Sequence, residues 1–456
     1  MPLRVLFVLG RASPTPIGEL KMVYRHADGL AERGHEVTVA HPRHPVCHPD
    51  GPRPRTVTPS TPEGADPHPW CRLDPRVRSL LLPDLAAHRI DRVYDAIVAT
   101  NWQVVPQVGT YPARLGRKVL FLQDYESARR PDGLAYAPMV DGLRMGWPVI
   151  AGSVPVRRLV AEVTGAPCPL VSPVVDGSRF AADVPIDAGR RDRVGFPARL
   201  EWSKRTADAV AALEILRGTR GARLKAWCFG RYTGAALPDW IEHHPAPDDV
   251  ELRRLYNTSA VFLVPSVYEG FGLPGAEAMA CGAALVSTRN EGVDAYAVHG
   301  ESALLCPVHD PPALAAAVAR LLDEPALRQR LAATGALTVT RRSWQHATNE
   351  FEACLSRYGP LTLRSASTGQ IRAITCGYHA LHPLRYGAAV RGTVLPGVRH
   401  ADQGARAWER DDARRQRHRH RHRPRCQRGR AARRTRPGAG APVRHRADSH
   451  RAPSGR

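Results

Sequence analysis

The sequence predicts an α/β protein made of two doubly wound domains that face each other across a cleft, followed by a disordered basic C-terminal tail. Three observations lead to this prediction. Short apolar runs typical of buried parallel strands alternate with helical patterns through residues 1–358. A polar stretch without periodicity, residues 181–191, interrupts the alternation. Beyond residue 358 the composition shifts to arginine, histidine, alanine, proline and glycine, which cannot build an apolar core.

The first half of the chain opens with a strand–helix–strand unit. Residues 4–9 are mainly Val, Leu and Phe, as in a central parallel strand, and apolar residues at helical spacing follow from Leu20 to Ala31. Gly34 stands where helices often end, before a second strand at 36–40. Further elements of this half are predicted as strands at 95–100, 117–122 and 148–151 and a helix at 156–163.

The second half repeats the alternation after residue 191. Its strands are predicted at 194–196, 224–229, 260–264 and 283–287, and its helices at 205–216, 248–256, 311–322, 327–331 and 344–355. We expect the last helix to return to the first domain and brace it. Ligands of open parallel sheets bind beyond the carboxyl ends of the strands. The loops that follow the strands are therefore the places to look for a site.

The net charge of +22 belongs mostly to the tail. Residues 359–456 hold 23 arginines and five acidic residues, which leaves only +4 for residues 1–358. Nine scattered cysteines without a C-x-x-C pair predict neither a disulfide framework nor a zinc site. There is no apolar run of about 18 residues and the N-terminus lacks a cleavage site. We therefore expect a cytoplasmic protein, with peripheral contact at the inner face of the membrane left open.

Three interpretations of the tail remain open. The first is a basic arm that binds nucleic acid or anionic lipid, and the second is a metal-binding segment at 418–423. The third is a stretch without function, such as the product of a shifted reading frame. The arginines between the histidines of 418–423 oppose a metal cation. We expect no specific nucleic-acid partner.

The stretch Pro265–Gly282 links a predicted strand to a predicted helix. Gly270 and Gly272 allow its backbone to approach a ligand closely. Unpaired N–H groups and the dipole at a helix N-terminus favour an anion. The carboxylate of Glu277 suits the vicinal hydroxyls of a sugar. A phosphate beside a sugar is the chemistry of a nucleotide-sugar.

The string P-S-x-x-E-G-F-G-L-P-x-x-E-A-M-A-C-G at 265–282 resembles the signature of the family-4 retaining glycosyltransferases, which have the two-domain GT-B fold with Rossmann-like domains. Its paired glutamates are Glu269 and Glu277, eight positions apart. The resemblance implies that Glu277 binds the ribose hydroxyls of the nucleotide and that Glu269 acts nearer the donor sugar, where we assign it a catalytic role. The resemblance also implies that the backbone N–H groups of Phe271, Gly272 and Leu273 meet sugar hydroxyls and phosphate, and we include Gly270 among the donor-binding residues.

Two cations resemble the G-R-L-x-x-x-K segment of the same family. They are Arg199 and Lys204, with Ala198 where the family usually has glycine. In the family they contact the diphosphate of the donor, whose departure leaves two negative charges. The D-x-D motif of metal-dependent transferases is absent from the sequence. We therefore expect the cations to replace a metal ion, with no metal site and no cofactor beyond the nucleotide-sugar co-substrate.

The first domain departs from the family pattern. The family often has a histidine where this chain has Q-D-Y-E at 123–126, which is similar to a subgroup that transfers rhamnose from a dTDP-activated donor. Asp124 is predicted to orient the acceptor hydroxyl or a donor hydroxyl, with a turn-capping aspartate as the alternative. Gly18 is expected to let its loop approach the diphosphate, and Glu19 stands where the family often has a second glycine.

The resemblance extends over residues 1–358. It implies an acceptor-side domain at 1–180, a nucleotide-sugar-binding domain at 190–340 and a bracing helix at 341–358. The predicted function is retaining transfer of a sugar to a hydroxyl of a glycan, lipid-linked or small-molecule acceptor, in cell-surface glycan or glycoconjugate synthesis. The alternatives are a nucleotide-sugar epimerase, which needs an acid/base set that we do not find, and a tail-driven binder of anionic surfaces or nucleic acid.

Overall fold

A computed structural model describes residues 1–46, 61–125, 129, 133, 135–187, 189–232 and 237–358. In these residues the chain forms two parallel six-stranded sheets with helices on their faces, as the predicted fold class requires. The predicted tail, residues 359–456, lies outside the described residues, and so do residues 47–60. Among the helices that are described, none combines the length and hydropathy needed to cross a membrane.

The strands and helices alternate along both halves. The first sheet contains β1 (Arg4–Val8), β2 (Glu36–Pro42), β3 (Arg78–Leu82), β4 (Ala96–Ala99), β5 (Arg117–Leu122) and β6 (Val149–Ala151). The second contains β7 (Arg193–Pro197), β8 (Lys225–Phe229), β9 (Ile241–His244), β10 (Ser259–Val264), β11 (Ala284–Thr288) and β12 (Ala303–Cys306). The helices are α1 (Gly18–Glu32), α2 (Val105–Gly109), α3 (Tyr136–Leu143), α4 (Val154–Thr164), α5 (Thr206–Arg220), α6 (Asp249–Thr258), α7 (Leu273–Ala280), α8 (Pro311–Asp323), α9 (Pro325–Thr340) and α10 (Trp344–Arg357).

The two sheets have the same strand order. The first runs β3-β2-β1-β4-β5-β6, and the second runs β9-β8-β7-β10-β11-β12. In each, the order reverses beside the first strand of that sheet, between β1 and β4 and between β7 and β10. Ligands of such sheets bind outside the carboxyl ends of the strands at this point. We call the first sheet with α1–α4 the first lobe and the second sheet with α5–α9 the second lobe.

Burial accounts for only part of what was predicted, because the strand β12 is fully buried and was still missed, as were β3, α2 and α3. Every residue of β10 and of β11 is buried, so both appear as continuous apolar runs. The edge strand β9 was not predicted because only Ile241 of its four residues is buried. Helix α9 is much longer than the predicted 327–331, since a glycine and three threonines mask its helical pattern.

Helix α10 packs against the first lobe. The ring of Phe351 stacks on His26 of α1 with 4.4 Å between ring centroids and lies 5.8 Å from the ring of Phe7. At the edge of this contact Arg33 donates to Glu352 at 2.7 Å. Both ring nitrogens of His26 are buried without a hydrogen-bond partner, and burial lowers the pKa of this imidazole to about 3.

Because His26 is buried in its neutral form, we predict that the free energy of unfolding decreases in acid. Below about pH 6.5 the unfolded chain binds a proton that folded His26 excludes, so the free energy of unfolding falls by up to about 1.4 kcal/mol per pH unit. His26→Phe should remove this part of the loss, measured as the difference between urea unfolding at about pH 5 and about pH 8. His88→Asn, at an exposed histidine, is the matched control. An unchanged pH dependence in His26→Phe would contradict the assignment.

Candidate active site

The loops after β7 and β10 are joined to each other. The amide of Val267 donates to the carbonyl oxygen of Ser203 at 2.7 Å. Beside this bond the ammonium of Lys204 lies 3.0 Å from Oε2 of Glu269, whose Oε1 accepts from Ser266 at 2.7 Å. Two predicted site residues from separate loops are thus held together as a partly buried ion pair with a fixed carboxylate orientation.

The N-terminus of α7 presents backbone N–H groups. Gly272 is its N-cap residue, with φ of +90°, and its carbonyl accepts from the hydroxyl of Tyr296 at 3.1 Å. The Phe271 ring packs on the same tyrosine at 5.0 Å. Within the described part of the chain, the amides of Gly270–Leu273 donate to no backbone oxygen. This end of α7 can therefore accept an anion.

Glu277 lies one turn further along α7. Its side chain is buried, and Oε2 accepts from the hydroxyl of Tyr256 at 3.2 Å. Burial raises the pKa of this carboxyl, and the positive charges of Lys21 and Arg199 oppose the increase.

Arg199 is held across the end of β8. Its guanidinium lies over the Phe229 ring at 5.1 Å and donates to the carbonyl oxygen of Phe229 at 3.2 Å. The next residue, Gly230, has φ of +119°, and a Cβ atom there would overlap this guanidinium. His243 donates to the Gly230 carbonyl at 2.7 Å. The sequence does not connect Gly230 or His243 with Arg199, because that connection exists only after β7, β8 and β9 pair.

Asp124 faces the second lobe directly after β5. A Cβ atom at Gly270 would lie 2.9 Å from the carbonyl oxygen of Gln123 and 3.3 Å from Cβ of Asp124. Burial raises the pKa of the Asp124 carboxyl to about 6, and the negative charge of Glu19 adds to the increase. Lys204 and Arg11 act in the opposite direction. The carboxyl of Asp124 and the loop of Glu269 thus approach each other from opposite lobes.

The start of α1 forms the other wall in the first lobe. Gly18 faces Leu273, with 3.6 Å between a Cβ position at the glycine and Cδ1 of the leucine. The next side chain, Glu19, accepts from Asn101 at 2.7 Å and lies 3.7 Å from Arg11. In the sequence Glu19 stands out only as a departure from the family pattern, because its partners follow β1 and β4 and reach it only on folding.

A further cross-lobe contact flanks the site. The hydroxyl of Tyr125 donates to Glu291 at 2.5 Å. The guanidinium of Arg129 lies 4.9 Å from the Tyr125 ring and 5.1 Å from the Tyr268 ring. Tyr125 follows Asp124 directly in the sequence, and Tyr268 directly precedes Glu269. Within the described residues, no group of three or more His, Cys, Asp or Glu side chains has the arrangement to hold a metal ion.

The predicted site residues therefore lie at the facing carboxyl edges of the two sheets. The second lobe supplies two cations, a helix N-terminus and two carboxylates, which suit a phosphate beside a hydroxylated ring. The first lobe supplies Asp124 and the start of α1.

Residues 191–324 match the family described as glycosyl transferases group 1. A glycogen synthase of Mycobacterium tuberculosis is 32% identical over 179 residues, which are 36% of this chain and 41% of the relative. A D-inositol 3-phosphate glycosyltransferase of Arthrobacter is 29% identical over 180 residues, 37% of this chain and 42% of the relative. The matched region thus spans about two fifths of the length of these relatives.

The fold also has solved counterparts. The crystal structure of Anabaena HepE in complex with UDP-glucose aligns with a TM-score of 0.60 at 16% identity, covering 78% of this chain and 100% of that one. At this identity the likeness concerns the fold, and the fold is GT-B.

The close approach at Gly270 predicts the effect of adding one methyl group. Gly270→Ala should push Gln123 away and separate the lobes, and on the function proposed below it should lower the rate of the reaction by about ten- to a hundredfold, because small misplacements of reacting groups are costly. Gly218→Ala is the control, since a Cβ atom there meets nothing within 4 Å. Initial rates and melting temperatures of both variants are compared. Full activity in Gly270→Ala would show that the lobes do not need this approach.

Proposed function

We propose that this protein, whose residues 191–324 form a glycosyl transferases group 1 domain, moves a sugar from a nucleotide-sugar donor to an acceptor hydroxyl with retention of anomeric configuration. The observation that carries the proposal is the convergence of Arg199, Lys204, Glu269 and Glu277 around the carboxyl ends of β7 and β10. These side chains lie within the matched domain.

In the proposed complex the nucleotide is bound by the second lobe. Glu277 accepts hydrogen bonds from the ribose hydroxyls. Arg199 and Lys204 bind the diphosphate together with the amides at the start of α7. Each charge-assisted hydrogen bond contributes about 1.5–3 kcal/mol. The ion pair between Lys204 and Glu269 holds the ammonium in place before the donor arrives.

The proposed reaction takes place on one face of the sugar. The bond between the anomeric carbon and the phosphate oxygen breaks as the acceptor oxygen bonds to the same face, and the leaving phosphate takes the acceptor proton. Arg199 and Lys204 stabilise the negative charge that develops on the phosphate. Glu269 and Asp124 position the hydroxyls of donor and acceptor from opposite lobes. No protein nucleophile is required.

The donor class rests on chemistry shared with relatives. HepE, which has the same fold, was solved with UDP-glucose. The Q-D-Y-E resemblance adds dTDP-activated rhamnose to the candidates. A glycan, lipid-linked or small-molecule hydroxyl is the proposed acceptor. The proposal includes cytoplasmic donors and, for a lipid-linked acceptor, peripheral contact with the inner face of the membrane.

A donor screen tests the proposal. The full chain is incubated with UDP-, GDP- and dTDP-sugars, and release of the nucleoside diphosphate is followed. We expect slow hydrolysis of one donor and faster release when an acceptor is present. Conversion of a donor to its epimer without release would favour the epimerase instead.

Two substitutions test the site assignment. Glu277→Ala and Lys204→Ala should each weaken donor binding by about ten- to a hundredfold, the loss of one charge-assisted contact. The measurement is calorimetric titration with the donor that the screen identifies. Lys225→Ala is the control, because this lysine is exposed on β8 and pairs with Asp192. Unchanged affinity in both site variants would defeat the assignment.

Metal independence is a separate prediction. Because Arg199 and Lys204 are proposed to neutralise the diphosphate, activity should persist in excess EDTA, and magnesium should change the initial rate by less than about twofold. Loss of activity in EDTA with recovery on adding magnesium would contradict this part of the proposal.

A further inference from the structure

Residues 290–292, which follow β11, support the backbone of Glu269. The amide of Glu269 donates to the carbonyl oxygen of Asn290 at 3.0 Å. A Cβ atom at Gly292 would lie 2.7 Å from the carbonyl oxygen of Glu269 and 2.9 Å from its Cβ atom. The segment thus contacts both the amide and the carbonyl group of Glu269, with no gap between them. A displacement of this segment therefore displaces Glu269.

The 290–292 segment is fixed to the second lobe at its start and just after its end. The side chain of Asn290 is buried and donates to the hydroxyl of Ser287 at 3.1 Å. Its Oδ1 atom accepts from the amide of Val293 at 3.0 Å. The conformation of Glu291, in the middle of the segment, depends on further contacts.

Glu291 has a backbone conformation that is unfavourable for its residue type. Its φ is +65°, in the left-handed region that favours glycine. Residues with a Cβ atom stay in this region where surrounding contacts hold them there. The Glu291 carboxylate accepts from the hydroxyl of Tyr125 at 2.5 Å and lies 3.9 Å from the guanidinium of Arg129. Both of these partners belong to the first lobe, which therefore helps to hold Glu291 in its conformation.

Tyr125 is a well-anchored donor for this hydrogen bond. It directly follows Asp124 beyond β5, and its ring is buried in the apolar core of the first lobe. Burial raises the pKa of its hydroxyl, and the hydrogen bond to Glu291 adds to the increase, so the hydroxyl stays protonated and donates. Hydrogen bonds to a carboxylate are stronger than those between neutral groups. The position of the first lobe is thus transmitted to Glu291.

We propose that Tyr125 is a positioning residue for the transfer reaction: its hydroxyl holds Glu291, and with it the segment that supports Glu269, while the lobes are together. This inference rests on the proposed function and on the role of Glu269 in it. When the lobes separate, Glu291 loses this hydrogen bond, and the segment is free to leave the arrangement that fixes Glu269. The site is then complete only while both lobes are in contact, which limits hydrolysis of the donor in an open state.

The first test removes the hydroxyl alone. In the full chain Tyr125→Phe should lower kcat about tenfold, because small displacements of a reacting group are costly. Affinity for the tightest of UDP, GDP, ADP and dTDP should change by less than about twofold, since the second lobe binds the nucleotide in the proposed complex. Tyr111→Phe is the matched control, because it removes a buried hydroxyl that donates to Leu85 within the first lobe. It should leave both quantities unchanged.

The second test asks whether the hydroxyl acts through the backbone of Glu291. Glycine adopts a positive φ without steric cost, so Glu291→Gly allows the segment to keep its arrangement without a contact from the first lobe. Added to Tyr125→Phe, it should return kcat to within about threefold of the wild type. Glu291→Ala also removes the carboxylate but keeps a Cβ atom at this φ, and it should give no recovery. A simple tether between the lobes would lose its second partner in either double variant and would recover in neither.

The outcomes separate the inference from the proposed function. Melting temperatures show whether each variant is folded. Unchanged kcat in Tyr125→Phe, an equal loss in Tyr111→Phe, or a loss that Glu291→Gly and Glu291→Ala repair equally or not at all would overturn the inference and leave the proposed function intact. A wild-type chain that releases no nucleoside diphosphate from any donor would contradict the proposed function itself, and the inference with it.

Discussion

The backbones of the two lobes are in direct contact at Gly270, and this contact determines how the other site residues are arranged. Gly270 lies against Gln123 with no room for a methyl group, and Gly18 faces Leu273 across the same boundary. Both glycines lie beyond carboxyl ends of parallel strands, where loops from the two sheets oppose each other. Since no side chain separates the backbones here, Asp124 approaches the loop that carries Glu269. A bulkier residue would remove that proximity without touching either carboxylate.

Close approach has an electrostatic consequence. Glu19, Asp124 and Glu269 converge, with Arg11 and Lys204 as the opposing charges, and the raised pKa of Asp124 reflects burial together with these carboxylates. Carboxylates in a sheltered cleft stay ionised only with cations nearby. A donor diphosphate would bring further negative charge. The site can accept this negative charge because the second lobe provides the Arg199 guanidinium and the N–H groups at the start of α7.

Much of the fold was predictable because buried parallel strands leave continuous apolar runs, as in β10 and β11. The edge strand β9 was not predictable, because only one of its four residues is buried and it is recognised as a strand through its pairing with β8. The residues of the second-lobe loops were predictable because they sit in a local motif. Two contacts were not predictable, because folding alone brings their members together. They are the contact of Gly230 with Arg199 and that of Lys21 with Asp249. Lys21 and Asp249 are 228 positions apart.

The first lobe departs from the family pattern in a way that fits the cross-lobe charges. A second glycine in place of Glu19 would leave the start of α1 open to a phosphate. Here a carboxylate fills that position, held by Asn101 and Arg11, and it repels an anion. On the proposed function, phosphate contacts then come mainly from the second lobe. Helix α1 contributes a cation instead, since Lys21, its fourth residue, donates to Asp249 of α6 in the second lobe.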